Sequence, residues 1–208
     1  MATQGADSTE SEGESKGRSQ RPRGRPRSDQ ADKTILKVTR DLLAARGFVA
    51  LNYDELASQA RCSKATIYRR WSSKGHLAVA ALAELPDPPP TPDRGDLRTE
   101  LIELLGGIIS VFTNSPAITI MESLIGERAR NPELVDLLNA AFNTRRQGLA
   151  EVLQRGVDAG ELSGEADIEL IMDLIVGPIL CRFLFTGAPV GQEFLEALVE
   201  LVLEGALD

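Results

Sequence analysis

Between residues 86 and 92, five of seven positions are proline. Proline lacks the amide proton that a helix interior or a central strand needs, and its ring clashes with the preceding turn. No regular element crosses such a segment. The 208-residue chain is therefore expected to fold as two bodies joined by a stiff linker at 86–96. On both sides of it apolar residues recur at helical spacing. No run alternates with period two, and no segment repeats. The fold class is all-α.

The body before the linker is expected at 29–85, behind a disordered tail at 1–28 that has no large apolar residue beyond Met1. Ile35, Leu36, Val38, Leu42 and Leu43 form one face of a first helix over 33–46, and Gly47 ends it. Asn52 precedes Glu55 by three, a capping-box spacing that opens a short helix over 53–60. Arg61 and Cys62 form a break. Ser63 then caps a second short helix over 64–70, and Ser73 caps a fourth helix running to about 84. In the second body, 97–208, helices are expected over 97–112, 118–129, 132–159, 167–185 and 191–207. Asn131 and Pro132 open the third of these. Gly177-Pro178 should kink or restart the fourth.

The net charge of -8 conceals an asymmetry. Residues 1–15 carry only acids, 16–27 only bases (six of them), and 28–85 are mildly basic. Residues 86–208 hold eight arginines against twenty-one acids. One end is suited to a polyanion and the other repels it. Two cysteines, Cys62 and Cys181, exclude a disulfide scaffold and a zinc site of cysteine pairs, and are expected to be buried small residues. A single histidine, His76, excludes a multi-histidine metal site and argues against a histidine-dependent triad; it is expected to be exposed. The acidic half also lacks lysine and a glycine-rich phosphate loop. No catalytic residue, metal or cofactor is expected. Nor is a membrane partner, since no apolar run reaches spanning length and the polar N-terminus is no secretory signal. A cytoplasmic, nucleoid-associated location follows.

Two short helices joined by a tight turn behind a longer one form a helix-turn-helix candidate. Lys64, Ala65 and Thr66 occupy the first turn of its second helix, where side chains reach base edges in the major groove. Tyr68, Arg69, Arg70 and Lys74 supply phosphate donors, and Asn52 and Tyr53 at the start of the preceding helix join the candidate DNA face. Ile67 and Trp71, four apart, face the core. The alternative is a solvated basic helix in an ordinary bundle.

The block Gly47-Phe48, Leu56-Ala57, Ser63-Lys64-Ala65-Thr66-Ile67-Tyr68-Arg69-Arg70-Trp71, Ser73-Lys74 and Leu77 resembles the tetracycline-repressor (TetR) family over roughly residues 30–80. The resemblance implies an N-terminal three-helix helix-turn-helix DNA-binding domain and a C-terminal helical ligand-binding and dimerisation domain. It implies a homodimer on a palindromic operator whose affinity changes when a small-molecule effector binds. By family position Lys64, Ala65 and Thr66 read bases, while Tyr68 and Lys74 hold phosphates. The first amides of the fourth helix also favour a phosphate there. Arg61 stands where the family usually has glycine, Leu51 where it usually has threonine, and Gly75 where an acidic residue is common. At Arg61 a positive φ costs about 1 kcal/mol.

Arg21-Pro22-Arg23-Gly24-Arg25-Pro26-Arg27 looks like an AT-hook core. Its prolines favour an extended arm, Gly24 allows close approach, and Arg23 and Arg25 suit a narrow A·T-rich minor groove. A non-specific basic tail is the alternative. In the second body Leu105, Ile109, Phe112, Met121, Ile125 and Phe142 are candidates to line an effector cavity, with Arg145 to anchor an acidic group, or they are simply core. Ile179, Phe183, Leu195, Leu198 and Val202 belong to an apolar surplus that suggests a helical dimer interface. The leading reading is a transcriptional regulator, a repressor released by a small molecule. An architectural DNA-binding dimer without an effector is the alternative.

Overall fold

The computed structural model describes residues 26–85 and 90–206, and these are helical throughout apart from short connections. The elements are α1 (Pro26–Arg46), α2 (Tyr53–Gln59), α3 (Lys64–Arg70), α4 (Lys74–Ala83), α5 (Leu97–Thr113), α6 (Ala117–Glu127), α7 (Pro132–Asp158), α8 (Ile168–Cys181), a π-helical turn Arg182–Thr186 and α9 (Gln192–Ala206). α1 begins earlier than the apolar periodicity suggested, with Pro26 first, a position that needs no donor.

Local signals set most helix starts. Ser63 Oγ accepts from the Thr66 amide at 3.2 Å, and Ser73 Oγ from the His76 amide at 3.0 Å. Asn52 Oδ1 accepts from Asp54 N at 2.7 Å, but Glu55 does not close a capping box; it pairs with Arg46 at 2.7 Å. Asn131 holds the cap position of α7 without a side-chain cap bond. α8 runs through Gly177-Pro178 and changes register only at the π-helical turn.

The buried side chains form two clusters. The first joins α1–α4 to α6 and the start of α7, with Ile35, Leu43, Leu56, Ile67 and Leu77 meeting Ile120, Leu124 and Leu134. The second joins α5, the later part of α7, α8 and α9 through Leu101, Leu104, Leu153, Ile175 and Val199. The proline segment is thus not a packing boundary. α4 buries Leu77, Ala78, Val79, Ala81 and Leu82, too much apolar surface for α1 alone to cover, and α6 and α7 close over the rest. α7 takes part in both cores. Among the described residues no single helix is long and apolar enough to cross a membrane.

Candidate nucleic-acid interface

The turn between α2 and α3 is tight, and Arg61 adopts φ 51° there. Below it Ile67 is fully buried and Trp71 is 6% exposed. That anchorage fixes the roll of α3 and turns its other face outward: Lys64, Ala65, Tyr68 and Arg69 are exposed and Thr66 half-buried. Thr66 Oγ1 lies 3.0 Å from Ser63 Oγ. The ring of Tyr68 stacks on that of Tyr53 with centroids 4.7 Å apart, tying the first residue of α2 to the outer face of α3. Lys64 Nζ meets Asp54 at 2.7 Å across two exposed side chains, and that bond pushes the Lys64 pKa up. An exposed pair of this kind is held weakly, so Lys64 is readily released to a competing acceptor.

The start of α4 lies beside this face. Lys74 Nζ donates to the Val49 carbonyl at 2.8 Å and stands 4.9 Å from the centroid of the Phe48 ring. Burial lowers its pKa. Val49 itself is 72% exposed, an apolar side chain beside the lysine that periodicity did not single out. Gly75 departs from the family pattern for a steric reason. A Cβ there would lie 3.1 Å from Leu134 Cδ2 and 3.6 Å from Glu133 Oε2, so α7 approaches α4 where a longer side chain would stand.

Arg70 departs from expectation. Its guanidinium pairs with Asp32 of α1 at 2.5 Å, and its side chain is only 18% exposed. It braces the end of α3 against α1 and is not presented to solvent as a phosphate donor. Asn52 is exposed but committed to its cap. His76 is half-buried, with Nδ1 3.3 Å from Ser72 Oγ. Cys62 is half-buried with its thiol pKa raised by burial, while Cys181 is exposed on α8, contrary to the expected burial. Arg23 and Arg25 lie outside the described residues.

A family model of bacterial regulatory proteins, tetR family, matches residues 35–81, and a tetracyclin repressor-like C-terminal domain matches residues 91–202. The chain belongs to the TetR family. The HTH-type transcriptional regulator YdeS of Bacillus subtilis (strain 168) is 34% identical over 89% of this chain and 94% of its own length. The DNA-binding transcriptional repressor TetR of Mycobacteroides abscessus is 32% identical over 85% and 94%. The crystal structure of the TetR family transcription regulator SCO0332 aligns with a TM-score of 0.68 at 28% identity, covering 85% of this chain and 98% of that one. These TetR relatives are regulators, and this chain is a DNA-binding regulator with their helix-turn-helix and C-terminal helical domains.

The expected TetR effector lining is dispersed. Leu105 and Ile109 are buried in the second core. Phe112 packs against the first core and tilts on Phe183 at 6.3 Å. Met121 and Ile125 are half-buried on α6, and Phe142 is 36% exposed. Arg145 lines a cavity of about 240 Å³ together with Pro90, Thr91, Leu104, Ile108 and Gly148. Its guanidinium also reaches the carbonyls of Leu82 and Ala83 at 3.5 and 3.4 Å, at the end of α4.

The expected dimer residues are corrected in the same way. Leu195, Leu198, Val202 and Ile179 are 2–8% exposed inside the protomer core, and Phe183 packs against it. Their surplus of apolar surface is consumed by α5 and α8. The apolar residues left outside are Leu170 and Leu174 on α8, Phe185 just beyond it and Leu201 on α9, each at least half exposed.

Proposed function

We propose that the protein is a homodimeric repressor that binds a palindromic operator and leaves it when a small molecule enters the C-terminal body. The observation that carries the DNA half is the outward face of α3. Lys64, Ala65 and Tyr68 stand free of the core above a buried Ile67 and Trp71, with Ser63 capping the helix. Lys64, Ala65 and Thr66 read base edges, while Tyr68, Arg69, Lys74 and the α4 amides take phosphates. Arg23 and Arg25 lie in the minor groove beside each half-site. A palindrome needs two recognition helices related by a two-fold axis, and the dimer forms through Leu170, Leu174 and Leu201 on the outer faces of α8 and α9. Repression is supported by the relative from Mycobacteroides abscessus that is named a repressor.

The effector site is the cavity at Arg145. At about 240 Å³ it is smaller than usual for drug-sized ligands, so it widens as the ligand enters. The protein works in the cytoplasm on the nucleoid. Division of labour follows the family pattern, with 29–85 on DNA and 97–208 for ligand and dimer.

The test is selection of bound fragments from genomic DNA, repeated with Tyr68→Ala. The expected result is a palindrome that Tyr68→Ala no longer recovers while remaining dimeric. A·T-rich fragments without symmetry would mean an architectural protein, and no enrichment would overturn the DNA reading.

A further inference from the structure

α7 holds α4 at both ends. At the start of α4, Ser73 Oγ donates to Glu133 Oε1 at 2.8 Å. At its end, Arg145 reaches the carbonyls of Leu82 and Ala83. An acid at the positive end of a helix and a base at its negative end each complement the macrodipole. The two helices run side by side in the same direction, and between the two contacts Leu134 packs against Gly75 without a methyl's clearance.

Glu133 stands where a second anion is wanted. The first amides of α4 and Lys74 form the phosphate-binding end of the DNA face. Ser73, the cap of that helix, already shares its hydroxyl with the Glu133 carboxylate. The same carboxylate raises the pKa of Tyr53, after burial and Tyr68, so its charge is felt at the Tyr53–Tyr68 stack. Tyr53 Oη is buried and has no hydrogen-bond partner, an unusual condition for a buried hydroxyl. Together these place one exposed acidic side chain of the C-terminal body among three groups of the DNA face.

We infer that Glu133 is a positioning residue for DNA binding. Bound to Ser73, its carboxylate fixes the first turn of α4 and occupies the field that a DNA phosphate needs. DNA binding withdraws the carboxylate from Ser73, and any displacement of α7 that presses it back disfavours DNA. Regulation is thereby written as competition between an internal anion and a backbone phosphate at one helix end. This rests on the reading that α3 and the start of α4 face DNA.

The experiment is a salt series of equilibrium binding to the duplex recovered by selection and to a random-sequence duplex, with wild type, Glu133→Gln, Glu133→Ala and Tyr68→Ala. Glutamine keeps an acceptor for Ser73 and removes the charge. Glu133→Gln is expected to bind roughly two- to fivefold tighter at low salt, an advantage that shrinks as screening rises. The slope of log affinity against log salt should steepen, by at most about one unit. Glu133→Ala should lose the Ser73 bond as well and show the same steeper slope at a lower thermal midpoint. If Glu133→Gln leaves affinity and slope unchanged while Tyr68→Ala abolishes binding, Glu133 is only a helix-start residue and this inference is wrong. If Tyr68→Ala has no effect, the DNA-face reading fails first.

Discussion

Glu100→Gln tests the one buried acid among the described residues. Glu100 is 3% exposed. Its Oε2 accepts from Arg155 Nη2 at 2.5 Å, and its Oε1 accepts from the amides of Arg94 at 2.6 Å and Gly95 at 2.9 Å. Arg155 also donates to the Pro92 carbonyl at 2.5 Å. One carboxylate therefore fastens the exit of the proline segment to α5 and α7 together. Glutamine preserves volume and one acceptor but turns an amide toward Arg155. Removing one partner of a buried pair costs roughly 3–5 kcal/mol. Arg155 is 39% exposed and can turn to water, so the expected loss is lower, about 2–3 kcal/mol in urea unfolding at neutral pH. The pH dependence has a definite sign. The Arg155 bond, helped by the two amides, holds the Glu100 carboxyl below the ordinary glutamate range against the opposing effect of burial. A lowered folded pKa gives stability that is complete above the unfolded value of about 4.3 and disappears as pH falls through the folded value. The gap between wild type and variant should be full at neutral pH and close in the acid range. A variant within about 0.5 kcal/mol of wild type at neutral pH would refute the reasoning. So would a gap that persists undiminished to the acid limit of folding.

Two further substitutions separate structural from functional charge and core from interface. Arg70→Ala should destabilise the fold by about 1–3 kcal/mol by leaving Asp32 unpaired, yet leave the salt slope of DNA binding unchanged; a slope lower by about one would return Arg70 to the phosphate contacts. Leu174→Arg should convert dimers to folded monomers in sedimentation, because its side chain is 50% exposed on α8; an unchanged dimer would move the interface elsewhere.

Features governed by neighbours in sequence were legible before the structure. The caps at Asn52, Ser63 and Ser73 are local hydrogen bonds, and each is present. Arg61 was expected to strain the turn because family proteins use glycine there, and its φ is positive. The burial of Ile67 and Trp71 followed from their spacing on one short helix. What distance in sequence conceals was not legible. Arg70 reads as one more basic residue of a DNA-facing helix until Asp32 is brought against it by packing of α1. The apolar residues of α8 and α9 exceed one stripe, but counting them does not tell which stripe meets α5 and which meets solvent. The structure buries Leu195 and Leu198 and leaves Leu174 and Leu201 outside. Glu133 carries no sequence signal beyond being an acid in the first turn of a helix, where an acid is favoured in any case.

Most of the proline segment lies in sequence between the two matched domains. A linker transmits displacement only as far as it is fastened, and this one is fastened at its exit, on Glu100 and Arg155. The packed route is α7. Its start contributes Leu134 to the first core, and its later turns contribute Leu149, Val152 and Leu153 to the second. Closely packed cores resist continuous deformation, so a helix shared by two of them carries a shift at one end to the other. α4 lies against that helix with its two ends held by Glu133 and Arg145, and between them Gly75 leaves no slack against Leu134. On the proposed effector reading, a ligand that displaces α7 near Arg145 would move α4 as a unit. On the same proposal the start of α4 belongs to the DNA face, and the movement would be delivered at the phosphate contacts proposed for Lys74 and the α4 amides.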